Sequence, residues 1–311
     1  MTIAFVFPGQ GSQSIGMLSD IAEHEPVVTE TFAEASAVLG YDLWELVQNG
    51  PEDKLNQTEI TQPALLVSGV AIWRLWKSYN GEVPDVLAGH SLGEYTALVC
   101  SEAIEFNDAV ALVRDRGKYM QQAVPKGTGA MAAILGLEGI RVTELCEQAK
   151  DIGTVSAANF NSNEQTVIAG EIDAVNYTMD LAKQAGAKRA ILLPVSVPSH
   201  CALMTPAAES LAQRLMSLTI NNAKIPVIQN VDALAHSDAN EIMPLLIKQL
   251  HQPVYWVDTV NKICEQGCTR IIESGPGKVL SGLIKRINRD IDVVSMHSYG
   301  VLESELIKVE Q

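Results

Sequence analysis

Residues 89–93 read Gly-His-Ser-Leu-Gly, which places Ser91 in a G-x-S-x-G pattern with apolar residues on either side. Flanking glycines suit a sharp strand-to-helix turn, where larger side chains would collide as the backbone doubles back. Such a turn lifts the serine hydroxyl out of the sheet and brings the free N–H groups of the next helix beside it. The chemistry open to that arrangement is nucleophilic attack on a carbonyl carbon. A serine that merely caps a helix among packing glycines is the plainer alternative.

A serine nucleophile needs a base, and histidine has a pKa suited to that task at neutral pH. Six histidines compete. His24 and His236 lie in polar, acid-rich stretches, and His297 is near the tail. His251, beside Pro253, sits where it could cap a helix end. His90 adjoins Ser91, but consecutive residues of such a turn point apart. His200 follows the apolar run ILLPVSVPS and emerges at a strand exit, so position favours it as the base. A second glycine-containing turn, PGQGSQ at 8–13, lacks the phosphate-loop and dinucleotide fingerprints. It can still offer the Gln10 N–H, and with the Leu92 N–H that would make an oxyanion hole. Arg116, in VRDRGKYM, is a forked cation suited to holding a carboxylate, although a surface ion pair is the commoner use of such a residue. No carboxylate stands out as a triad acid between Ser91 and His200. That counts against an ordinary α/β-hydrolase, whose triad runs serine, acid, histidine.

The elements that must position these groups follow from hydrophobic periodicity. Residues 2–7 and 84–89 read as buried strands, and 62–78 and 107–121 as helices, the second ending before Pro125. Residues 225–231 and 269–275 read as two further strands. Alternating strands and helices predict a parallel sheet covered on both faces. Between roughly 126 and 196 the order becomes strand, helix, strand, strand, helix, strand, the pattern of a ferredoxin-like unit. The fold class expected is therefore α/β. A small βαββαβ domain (126–196) is inserted into a discontinuous parallel-sheet main domain (1–125 and 197–311), and a cleft between the two is a natural ligand site.

With 47% hydrophobic and 19% charged residues among 311, the chain can bury a sizeable core and is not a disordered protein. No apolar run is long enough for a membrane span. The start MTIAFVFPGQ lacks the marks of a signal peptide. Five cysteines, without zinc-type spacing, read as free thiols in a reducing cytoplasm. The net charge of −15 opposes binding to nucleic acid or anionic membrane. Two segments run against that charge. Lys183, Lys188 and Arg189 lie in 181–190, and Lys278, Lys285, Arg286 and Arg289 in 278–289, neither stretch containing an acid. A solvated helix face is the bland alternative for each.

Together the segments resemble the malonyl-CoA:acyl carrier protein transacylase family, the free-standing acyltransferases of bacterial fatty acid synthesis. FPGQGSQ, TQPAL, GHSLGEY, RG-x-x-M, VPSH, QL-x-x-PV and ESGPGKVL occur in family order, from residue 3 to about 290. The resemblance implies an α/β-hydrolase-like main domain with a ferredoxin-like insert, in agreement with the division above. It implies Ser91 as the acylated nucleophile and His200 as its base, oriented by the main-chain carbonyl of Gln249, which would account for the missing acid. It further implies oxyanion donors at Gln10 and Leu92, a malonyl clamp at Arg116, and Gln62, His90, Asn159 and Asn161 near substrate. Malonyl-CoA and acyl carrier protein would be the partners, with no metal or redox cofactor. Lys285 and Arg286, and less strongly Lys188 and Arg189, would dock the acidic carrier. One departure is Asn163, where the family commonly has proline. Close alternatives are an acyltransferase serving a polyketide carrier or a malonate decarboxylase. A thioesterase or esterase, and then a non-catalytic carrier-docking subunit, stand further off.

Overall fold

The computed structural model describes residues 2–195 and 197–309. Ser196, the end of the last strand expected in the insert and of its domain boundary, lies outside the described residues. The strands among them are β1 (Ile3–Phe7), β2 (Val86–Gly89), β3 (Gly129–Leu135), β4 (Val155–Ser162) and β5 (Gln165–Glu171). They continue with β6 (Arg189–Leu192), β7 (Val227–Ile228), β8 (Ala235–His236), β9 (Arg270–Glu273) and β10 (Asp292–Ser295). Two sheets result, one in the order β10-β9-β1-β2-β7-β8 and one in the order β4-β5-β3-β6.

The first sheet is parallel from β10 through β7, and only β8 runs antiparallel, at the edge. Its central strand β1 is buried on both faces, as its unbroken apolar run requires. Ile3, Phe5 and Phe7 point into one core with the helix Thr58–Ser78, where Phe5 meets Trp73 edge-on at 5.2 Å. Ala4 and Val6 point into the other, with Trp256, Leu280 and Ile284. The second sheet is antiparallel throughout. One face carries the helices Gly139–Gln148 and Ile172–Gln184, and the other presents Met131, Ala158 and Val167.

Three expectations shift. The helix expected from residue 62 begins at Thr58, one turn earlier, so Pro63 lies inside it. The strand expected over 225–231 ends at Ile228, because the chain turns there: Gln229 N donates to Leu234 O, and Ala233 takes φ 53°. β8 and β10 were not expected at all. The five cysteines are free thiols.

The two sheets are stitched together along the edge strand β4. Phe160 N donates to Val254 O at 2.9 Å, and Val254 N donates to Ala158 O at 2.9 Å. Phe160 also stacks on Tyr255, ring centroids 5.3 Å apart. The pairing of β4 with β5 is irregular between Ala157 and Asn159 and again between Phe160 and Ser162. Asn159 and Asn161, two apart on one strand, both line the cleft that this seam borders.

Candidate active site

Ser91 sits between β2 and the helix Leu92–Cys100 with φ 52° and ψ −106°, a conformation that side chains disfavour. The turn is tight enough to exclude any side chain at its exit. A Cβ on Gly93 would stand 1.9 Å from Phe7 O. His200 also has positive φ, 63°, and its own N–H is fixed to Leu250 O at 3.0 Å.

These two residues meet. Ser91 Oγ lies 2.8 Å from His200 Nε2, and His200 Nδ1 lies 2.7 Å from Gln249 O. A carbonyl oxygen only accepts, so Nδ1 carries the proton and Nε2 is free to take one from the serine. Burial, then the Arg116 charge, push the His200 pKa down to about 3, so the ring is neutral at pH 7. A main-chain carbonyl therefore occupies the position that an acid holds in a triad.

Arg116 is not the surface ion that its helix position most simply suggests. It is 1% exposed, and Gly117 beside it is the reason it can reach inward. A Cβ on Gly117 would stand 2.6 Å from Glu59 Cα, so only glycine lets the helices Phe106–Ala123 and Thr58–Ser78 approach this closely. Arg116 Nη1 then donates to Gln62 Oε1 at 2.9 Å, and Nη2 donates to Gln249 Oε1 at 2.9 Å. Nη2 also stands 3.4 Å from Ser91 Oγ, and the guanidinium carbon lies 5.1 Å from the Tyr95 ring centroid. Nε has no partner, and no carboxylate among the described residues forms an ion pair with this cation. A buried guanidinium short of acceptors and of a counter-charge is suited to receiving an anion.

A cavity of about 190 Å³ opens over Ser91. Gln10 and Leu92 line it, as do Gln62, His90, Asn159 and Asn161. His90 Nε2 is paired with Asn161 Oδ1 at 2.7 Å, linking the nucleophile turn to β4. The remaining lining is largely apolar, including Met120, Met131, Val167, Leu193 and Leu283. Such a cleft can desolvate a thioester or ester while its few polar groups orient it. Among the described residues, no cluster of His, Cys, Asp and Glu side chains converges as it would on a metal ion.

The basic residues lie outside this cavity. Arg286 Nη1 donates to Gln165 Oε1 at 2.7 Å, and Lys188 Nζ pairs with Glu164 at 2.7 Å, so both segments converge on the turn between β4 and β5. The acid missing from the second-sheet segment is thus supplied from that turn. Lys285 Nζ instead donates to Arg289 O and Ile291 O, which ties down the end of its own helix, Val279–Ile287. Arg189 opens β6 and is exposed.

Two residues near Ser91 were not found by sequence reasoning. Glu94, wholly buried on the first turn after Ser91, accepts from Asn230 N at 2.6 Å, and burial pushes its pKa up to about 8. The Asn230 side chain holds the nucleophile turn itself. The Gln249 side chain was also missed: its Nε2 donates to Ser91 O at 2.9 Å. The available signal was position, since Asn230 lies just past a parallel strand's C-terminal end, where α/β sheets build their sites.

Fold and site together are those of an α/β acyl-transfer protein, with a serine, a carbonyl-held histidine and a buried arginine facing one cleft. The chain belongs to the acyl transferase domain family, whose model matches residues 4–305. It is 52% identical to the malonyl CoA-acyl carrier protein transacylase of Salmonella typhimurium, over 97% of this chain and 98% of that one. Among solved structures, an acyl carrier protein S-malonyltransferase from Vibrio cholerae superposes with a TM-score of 0.96 at 56% identity, covering 98% of this chain and 99% of that one. A malonyl-transacylase solved in complex with a type II PKS acyl-carrier protein superposes with a TM-score of 0.98 at 51% identity, covering 99% of this chain and 100% of that one.

Proposed function

We propose that this chain transfers the malonyl group from malonyl-CoA to the phosphopantetheine thiol of acyl carrier protein, through a malonyl ester on Ser91, for fatty acid synthesis. In the first half-reaction Ser91 gives its proton to His200 Nε2 and its oxygen attacks the thioester carbonyl. The N–H groups of Gln10 and Leu92 receive the developing negative charge. The carbon–sulfur bond then breaks, and CoA leaves as the thiol with the proton held by His200. In the second half the carrier's thiol gives His200 a proton and its sulfur attacks the ester. Ser91 departs and recovers that proton. Arg116 pairs with the malonyl carboxylate, and Gln62, His90, Asn159 and Asn161 shape the space around it. The scheme balances without a metal or redox cofactor.

One observation carries this reading. The buried Arg116 guanidinium, with no ion-pair partner among the described residues, stands 3.4 Å from the same Ser91 Oγ that lies 2.8 Å from His200 Nε2. A plain esterase has no use for that charge, whereas an acyl group ending in a carboxylate does. The carrier partner is supported by the relatives' names and by the complex of a structural neighbour with its carrier. That neighbour's carrier belongs to a type II PKS, so loading a polyketide carrier is the second reading. The main domain is read as α/β-hydrolase-like over 1–125 and 197–311, and the insert over 126–196 as ferredoxin-like. Among the described residues no helix is long and apolar enough to cross a membrane, in keeping with a cytoplasmic enzyme.

Intact-mass measurement after mixing with malonyl-CoA tests the reaction. A malonyl adduct that carrier protein discharges, absent from Ser91→Ala, is expected. An adduct in Ser91→Ala, or steady release of malonate without carrier, would overturn it. Parallel assays with fatty acid and polyketide carriers separate the two partner readings.

A further inference from the structure

No backbone acceptor within the nucleophile turn takes the Ser91 N–H. The turn's own hydrogen bonds run from Gly93 N to His90 O and from Glu94 N to Ser91 O, so the peptide before Ser91 is held at its carbonyl but not at its N–H. The Ser91 N–H goes instead to Asn230 Oδ1 at 2.7 Å, while Asn230 Nδ2 donates to Gly89 O at 2.6 Å. One side-chain amide thus spans the turn from the residue before His90 to the residue after it. Asn230 lies just past the end of β7, which pairs in parallel with β2 through Leu87–Val227 and Ala88–Ile228. Its side chain carries on the cross-strand bonding after the two backbones have stopped pairing.

Asn230 is itself held on both sides. Its N–H donates to Glu94 Oε2 at 2.6 Å, and its carbonyl accepts from Tyr255 N at 2.9 Å. Glu94 belongs to the helix that Ser91 opens, so Ser91, Glu94 and Asn230 form a closed loop of bonds. Tyr255 follows Val254, the residue bonded to β4, which ties the same loop to the seam between the two sheets. Both Asn230 and Glu94 are fully buried, and neither lines the cavity over Ser91. Substrate therefore does not touch them. A buried amide with its polar groups so fully committed is a rigid support for whatever it holds.

We infer that Asn230, anchored by Glu94, is a positioning residue for acyl transfer: it locks the Ser91 backbone in its strained conformation. The lock sets the 2.8 Å approach of Ser91 Oγ to His200 Nε2. It also keeps the Ser91 N–H turned away from the cleft, so that the Leu92 N–H beyond it faces the reacting carbonyl. This inference rests on Ser91 being the nucleophile.

The test measures single-turnover malonylation by rapid-quench intact mass, over a range of malonyl-CoA concentrations, in the parent, Asn230→Ala and Asn230→Asp. In Asn230→Ala the maximal acylation rate should fall roughly 100-fold, the scale of a small misplacement of a reacting atom, with half-saturation within about threefold of the parent. Asn230→Asp preserves an acceptor for Ser91 N–H but offers Gly89 O a donor only when its carboxyl is protonated. Burial beside Glu94 raises that carboxyl's pKa, so activity relative to the parent should climb as pH falls from about 8 to about 6. Acylation within threefold of the parent in Asn230→Ala, parallel loss of rate and affinity, or an Asn230→Asp profile parallel to the parent's would each overturn the inference. Should Asn230→Ala yield no folded protein, the Asn230→Asp profile decides alone. Ser91→Ala, run alongside, isolates the premise: an adduct on that variant refutes the nucleophile assignment and overturns the inference with it, whereas loss of the adduct leaves the Asn230 variants to decide the inference alone.

Discussion

Arg116→Ala should change what the enzyme prefers more than whether it works. The guanidinium is 1% exposed, lines the cleft, and is held by two neutral amides, Gln62 and Gln249. A malonyl carboxylate would be its counter-charge. Removing the arginine strands that carboxylate away from water, and breaking a buried pair in this way costs about 3–5 kcal/mol. At about 1.4 kcal/mol per factor of ten, kcat/KM for malonyl-CoA should fall by roughly two to four orders of magnitude. Acetyl-CoA carries no carboxylate and escapes that loss. It is not untouched, because Arg116 also holds Gln249 Oε1, and Gln249 Nε2 holds Ser91 O. Losing one such neutral support costs about 1 kcal/mol, so acetyl transfer should decline no more than about tenfold. The readout is the ratio of kcat/KM for malonyl-CoA over acetyl-CoA, expected to drop by a factor of roughly 10 to 10⁴. Arg116→Lys, which retains charge without the fork, should fall between. Equal loss on both substrates in a variant that melts like the parent would refute the clamp.

The base gives a second prediction. His200 is pushed down to about 3 by burial and by Arg116, so the acid limb of kcat/KM should lie well below the ordinary histidine value of 6.5, and a limb near 6.5 would contradict this. Glu94 has the opposite shift: its folded pKa of about 8 exceeds the ordinary 4.5, so its contribution to stability is full below about 4.5 and is lost as pH rises through about 8. Glu94→Gln keeps an acceptor for Asn230 N without that loss, so thermal melts from about pH 5 to about pH 9 should show the variant gaining on the parent as pH rises. A constant difference would count against the shift. Arg286→Glu should slow transfer to carrier protein more than acylation by malonyl-CoA, with salt erasing the difference, and equal slowing of both would deny a docking role. Lys285→Glu should chiefly lower the melting temperature, since its amine holds Arg289 O and Ile291 O.

The sequence made the chemistry legible where local rules demand particular residues. Gly89 and Gly93 suited a sharp turn better than a capping serine among packing glycines, and the change from alternating α/β to βαββαβ order stood out because periodicity changes with it. What stayed hidden depends on long-range approach. The family resemblance singles out Arg116, but on its own segment a surface ion pair is the commoner reading, because nothing in VRDRGKYM reveals that Gly117 lets two helices close on each other. Asn230 and Glu94 stayed hidden for the same reason: they are 136 residues apart and bond across a sheet end. The strand expected to 231 ended at Ile228 because a turn bonded through Gln229 and Leu234 reverses the chain, and no glycine or proline marked it.

The missing triad acid and the lonely arginine have one physical cause. A carboxylate set beside His200 would lie near Arg116, whose Nη2 is 3.4 Å from the shared Ser91 Oγ, and would capture the charge that the proposed clamp reserves for substrate. The carbonyl of Gln249 orients the imidazole without adding a negative charge. Its side chain meanwhile steadies Arg116 with a neutral acceptor. The buried carboxyl that does lie close, Glu94, bonds Asn230 behind the turn, and a pKa of about 8 leaves it mainly protonated at neutral pH. Arg116 is therefore left without a counter-charge among the described residues, as the proposed clamp requires. The Arg116 charge also depresses His200, so a substrate that neutralises the arginine relieves part of that depression and makes the base stronger. A carboxylate on the acyl group would then favour both binding and proton removal from Ser91, and an acetyl group would favour neither.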